Sequence, residues 1–149
     1  MAQRKRGLSR AQREWRPGQR KKPASVTVMF GATTLLMEAF VAFFGGLALF
    51  GLWGEGHPGR VAALIGAVVL AALFVVAAGR VSRSWGPAFG WVLQAVLLAT
   101  GFILPAMFLI GALFVVLWWY SLRTGRRLDR EKRERYEAEL AWDREHGLD

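Results

Sequence analysis

Polar and apolar positions do not alternate along this chain; they are sorted into blocks. Between residues 26 and 122 the only charges are Glu38, Glu55, Arg60, Arg80 and Arg83, while both ends are dense with them. A soluble domain scatters polar side chains through its elements to coat its surface, whereas apolar runs approaching twenty residues mark membrane-spanning helices. The first run reaches from about Val26 to Leu52. "WGEGHPGR" (53–60) ends it with three glycines, a proline and both signs of charge, the composition of a short polar turn. A second run, Val61 to Ala78, is closed by "GRVSRSWGP" (79–87), which carries Arg80 and Arg83.

From Ala88 to Leu122 there are thirty-five residues without a charge. As one helix they would extend about 52 Å, against about 30 Å of hydrocarbon core. The run is therefore expected to fold back near its middle. Pro105 lacks a backbone donor and disfavours helix at Leu104, and Gly101 stands close by. Four spans follow, about 26–52, 61–78, 87–103 and 106–122; the alternative for the last two is one kinked, re-entrant or strongly tilted element. The predicted fold is all-α: an integral membrane four-helix bundle with a basic, disordered arm at 1–24 and a charged helical tail at 123–149 extending the fourth span.

Charge sets the expected orientation. Nine Lys and Arg lie in the arm, two in the 79–87 loop and eight in the tail, leaving only Arg60 of the twenty for the 53–60 turn. With four spans all but one fall on one side, as the positive-inside rule requires, so both termini are expected on the cytoplasmic side of the membrane. Trp85, Trp118, Trp119 and Tyr120 would then lie at the inner interface and Trp53 at the outer. The arm does not resemble a removable signal peptide: the run after it is about twice a usual h-region, and "LFGLWGEG" has no small-x-small cleavage pattern.

The tails suggest surfaces, not catalysis. Arg4, Lys5, Arg6, Arg20, Lys21 and Lys22 in the arm, with Arg126 and Arg127 past the fourth span, are candidate contacts for anionic lipid headgroups, each contributing about 1 kcal/mol near the surface. Phosphate neutralisation on nucleic acid is the disfavoured alternative. In the tail, Asp129–Arg133, Glu131–Arg135 and Arg135–Glu139 have i,i+4 spacing, which supports a solvated helix with Gly147 as its C-cap. Leu128, Tyr136, Leu140 and Trp142 make a thin apolar stripe that could dock on a protein partner.

Catalytic constellations are missing. The chain has no cysteine, which excludes disulfides, thiolate nucleophiles and thiolate-bound metal. His57 and His146 fall on opposite sides of the expected membrane, and no glycine-rich phosphate loop follows a strand. No cofactor and no metal are expected, and an enzyme is not. What the membrane domain does offer is Glu38, twelve residues into the first span, with Gln94 near the middle of the third. An antiparallel bundle brings both to one depth, together with Thr34 and Thr100. Gly31, Thr34, Glu38, Ala42 and Gly45 share one small-residue face suited to close helix packing, so Glu38 is expected to point into the bundle. With no Lys or Arg at its level, it should be neutral and donate a hydrogen bond to Gln94 or a backbone carbonyl.

"ATTLLMEAFVAFF" in the first run and "GWVLQAVLLATGFILPAMFLIGALFVVLWWYSLRTGRRLD" over the last two, with a basic loop between, resemble a family of small actinobacterial membrane proteins of unknown function. The likeness rests on an acid within a "LEA"-like motif, here Met37, Glu38 and Ala39, and on a closing pattern matched by Gly111, Phe114, Trp118, Gly125, Arg126 and Arg127. It covers about residues 25–129 and leaves both tails as private extensions. The resemblance implies the membrane fold and singles out Glu38, and it implies a gene neighbourhood with folylpolyglutamate synthase and nucleoside diphosphate kinase. It supplies no reaction. Two functions are therefore carried forward: a non-enzymatic accessory or scaffold protein, and a small transporter or proton-coupled channel subunit, which would need to be a homo-oligomer because four short helices enclose little space.

Overall fold

The structure, a computed structural model, describes residues 22–148. Among these it contains four α-helices and no strand: α1 Val26–Leu52, α2 Arg60–Ala78, α3 Gly86–Ala99 and α4 Ala106–Glu145, with a 3₁₀ turn at Thr100–Phe102. Three of the helices, α1, α2 and α4, are long and apolar enough to cross a membrane; Gly86–Phe102 is a shorter apolar helix. The helices are antiparallel in sequence order. Gly111 lies on the backbone of Leu98 and Gly90 on the ring of Trp118, which fixes the α3–α4 hairpin, while Gly31 on Trp118 and Gly45 on Met107 set α4 against α1. The N-terminus of α1, the 79–85 loop and the charged half of α4 thus share one end, the basic end; the 53–59 turn closes the opposite, Trp53 end.

Each boundary has a local cause. Ser25 caps α1, its hydroxyl accepting from the Val28 amide at 3.3 Å. Gly54, with φ +65°, turns the chain out of α1 through the left-handed region that glycine adopts without strain. Arg60 then reaches back: its Nε donates to the Phe50 carbonyl at 2.8 Å and its guanidinium lies 3.7 Å above the Phe50 ring. The last carbonyls of a helix lack intrahelical partners and carry partial negative charge, so a cation suits them. The long uncharged run divides where proline predicts. α3 gives way to the 3₁₀ turn, Pro105 occupies the N-cap of α4, and Phe102 meets Phe108 edge to face at 5.0 Å across the turn. α3 ends at Ala99, short of the expected 103. Its fourteen residues extend only about 21 Å, less than a hydrocarbon core.

α4 passes from apolar to charged sequence without a break, as expected of the tail, and ends in a Schellman turn. Leu148 donates to the Asp143 carbonyl at 2.9 Å and Gly147, at φ +64°, to that of Arg144. Along it Arg127 pairs with Glu131 at 3.1 Å and Arg130 with Glu134 at 3.9 Å. Asp129 is not available to Arg133, because α1 takes it.

α1 is the hub, packing on all three other helices and most extensively on α2. The shared core includes Leu35, Phe74, Leu97 and Trp118, all essentially inaccessible. Outside it the bundle is studded with exposed large apolar side chains such as Phe40 (64%), Leu109 (79%) and Phe102 (83%). Water would not tolerate so continuous an apolar surface on a monomer, and lipid would.

Candidate functional site

Glu38 and Gln94 meet. α1 turns the carboxyl inward and α3 brings the amide to it, and Gln94 Nε2 donates to Glu38 Oε1. Leu35 and Ala39 flank the acid along α1, Leu93 and Leu97 flank the amide along α3, and all are buried. Glu38 is 0% exposed and Gln94 1%. The bond runs from amide to carboxyl, where the acid was expected to be the donor. Two atoms of the pair, Glu38 Oε2 and Gln94 Oε1, have no hydrogen-bond partner. Buried polar atoms are nearly always satisfied, and each left open costs about 1–3 kcal/mol. An acid proton on Oε2 would convert one of these acceptors into a donor suited to the other.

Thr34 does not join this pair. Its hydroxyl donates to the Phe30 carbonyl at 2.9 Å and lies 3.2 Å from Ser121 Oγ on α4, one turn nearer the basic end. Thr100, at the far end of α3, bonds back to the Leu97 carbonyl. Both hydroxyls have carbonyls of their own preceding turn within reach, the usual fate of threonine in a helix. Toward the basic end from Gln94 the indole of Trp118 is packed between Gly31 and Gly90. A Cβ at Gly90 would stand 2.2 Å from the ring, so only glycine admits it. The Trp118 Nε1 is likewise buried without a partner.

A second polar centre lies at the basic end and was not foreseen. Asp129, one turn beyond Gly125, faces the N-terminus of α1. Its carboxylate accepts from the Ser25 hydroxyl at 2.7 Å, the Val26 amide at 2.5 Å, and the Thr27 hydroxyl and amide at 2.7 and 3.2 Å. Partial burial works to raise its pKa, but the hydrogen bonds from Thr27, Ser25 and the two amides outweigh it and hold the carboxyl at about 2, below the ordinary 3.8. Gly125 permits the approach, since a Cβ there would stand 2.6 Å from the Thr27 backbone. The i,i+4 spacing to Arg133 pointed elsewhere; only the free amides of α1's first turn could have hinted at a carboxylate cap, and nothing local says which acid provides it.

The motif residues of the closing pattern now have places. Gly111, Phe114, Trp118 and Gly125 are buried along one face of α4, while Arg126 and Arg127 are exposed. Lys22 is exposed at the basic end. Arg4, Lys5, Arg6, Arg20 and Lys21 lie outside the described residues. The model of a family of proteins of unknown function, DUF4233, matches residues 29–134. The chain belongs to the DUF4233 family. The match takes in Glu38, Gln94 and the whole α4 face, and runs past residue 129 into the charged extension, so the first part of that tail is family sequence and not private to this chain. No curated protein and no solved structure matches this DUF4233 chain.

Proposed function

We propose that this protein is a non-enzymatic accessory or scaffold of a bacterial cytoplasmic membrane, crossing it four times with its basic end inside and presenting the charged half of α4 to other components. The observation that supports this best is the sealed condition of the Glu38–Gln94 pair. A conduit for protons or ions needs polar groups in series and water access on both sides. Here a groove lined by Ala42 and Leu97 stops one turn from the pair and includes neither Glu38 nor Gln94. The pair acts as a neutral fastener between α1 and α3, of the kind that contributes about 0.6–2 kcal/mol between membrane helices. The basic loop and α4 extension gather at one end, which favours the cytoplasm for that end.

The open Glu38 Oε2 favours a second reading, an oligomeric proton-coupled transporter. Proteoliposomes separate the two. On the fastener reading, wild type and Glu38→Gln both give no pH-dependent flux, and Glu38→Gln unfolds within about 1 kcal/mol of wild type, because an amide can replace a neutral acid; Glu38→Leu, which strands Gln94, loses about 1–3 kcal/mol. Proton-driven flux abolished by Glu38→Gln would establish the transporter instead. The scaffold role is tested by affinity capture with residues 1–21 or 135–149 removed, and fails if neither deletion loses a partner.

A further inference from the structure

Where α1 enters the bundle, a pocket of about 210 Å³ opens between the segment preceding it and the charged half of α4. Lys22, Lys132, Arg133 and Tyr136 line it, with Ser25 and Asp129 at its wall. Its charge balance differs from that of the neighbouring turns. Arg127 and Arg130 each have a glutamate one turn along α4. In the pocket the one carboxylate is Asp129, and its oxygens already serve the first turn of α1 through four hydrogen bonds. Among the described residues, none of Lys22, Lys132 and Arg133 forms an ion pair with an acid. Among the described residues, three cations without an acid partner therefore face one concavity whose carboxylate is spent on a helix end, leaving a local surplus of two positive charges beside a phenol that can donate.

We propose that this pocket binds a phosphate monoester. Such a group carries a charge of about −1.5 to −2 at neutral pH and offers three acceptor oxygens. That matches the surplus and the donors: a guanidinium fork for two oxygens, ammonium groups as point charges, and the Tyr136 hydroxyl. The α1 N-terminus adds nothing to the binding, being closed by Asp129. The monoester could belong to a lipid headgroup, as in phosphatidic acid, or to a soluble molecule. Only the lipid source rests on the membrane reading given above; the site itself does not.

The test uses the full chain in zwitterionic nanodiscs, with phosphatidic acid, phosphatidylglycerol or inorganic phosphate as probe and ³¹P NMR titration as readout. Two double variants remove equal charge: Lys132→Gln with Arg133→Gln inside the pocket, and Arg135→Gln with Arg144→Gln on exposed parts of α4 outside it. The pocket variant should weaken monoester binding about tenfold or more, the scale of one lost charge-assisted bond, and the outside variant less than about twofold. Binding of phosphatidic acid without inorganic phosphate identifies the lipid source, and competition by inorganic phosphate the soluble one; either supports the site. Equal losses from both variants would reduce the effect to diffuse surface charge and overturn it. So would equal affinity for phosphatidylglycerol, a diester, or binding of none of the probes. Unchanged helix content of the pocket variant by circular dichroism excludes misfolding, which these exposed positions give no reason to expect.

Discussion

The two ends of α1 are both closed by a borrowed side chain of the sign that helix polarity calls for, yet they differ in where it comes from. Asp129 reaches the N-terminus from more than a hundred residues away, on the last helix. Arg60 reaches the C-terminus from only ten residues away, across a turn. The first contact ties the fold together and the second only tidies a loop. Packing follows the same division. Beside Asp129 the helices close on Gly125 and clamp Trp118 between glycines; toward Arg60, α1 still meets α2 closely at Gly46 and Ala67, but an apolar groove of about 470 Å³ opens beside that contact. Long-range polar contacts demand that helices stay in register, and close packing is how this bundle holds that register at the basic end.

Mutation should separate the two ends of the bundle. Trp118→Ala should cause the largest loss, about 3–5 kcal/mol in the unfolding of detergent-solubilised protein, because the clamp cannot collapse around the void. Met107→Ala, on the groove wall, should cost less than half as much, since space is already open there; equal losses would show that the two halves are packed alike. Asp129→Ala comes next, at about 0.5–2 kcal/mol for a lost cap. Its pH signature has a defined sign. A carboxyl held at about 2, below its ordinary 3.8, contributes fully above about pH 4 and loses that contribution as the pH falls toward 2. Asp129→Asn should flatten stability across that window, and an unaltered pH profile would remove the clasp from the account. Arg60→Ala should have the smallest effect, below about 1 kcal/mol, as expected for a local cation at a helix end.

Periodicity and breakers made most of this fold legible. The apolar runs marked α1 and α2 to within a residue, Pro105 marked the fold-back, and Gly147 marked the end of α4 because its left-handed turn has a residue preference. The Glu38–Gln94 contact was legible too, since a bundle leaves two midplane polar groups little choice but each other. The identities of Thr34's partners were not, because a helical threonine satisfies itself on its own backbone whatever lies nearby. Asp129 was misassigned for a different reason. Its i,i+4 spacing to Arg133 is a local signal, and the competing ligand, three residues at the start of α1, is reached only through tertiary packing that no pattern in either segment encodes. The phosphate pocket was hidden by the same error, for an Arg133 already paired leaves no surplus charge to notice.

Asp129 also imposes a sequence of events during synthesis. Ser25, Val26 and Thr27 emerge from the ribosome long before the residue that will bind them. The Val26 and Thr27 amides of α1 must therefore stay without this partner while α2 and α3 are made. A nascent chain stopped short of residue 129 holds every apolar segment and still cannot finish its first helix. The last helix to arrive is the one that locks the first, so the clasp forms only once the whole bundle has been made.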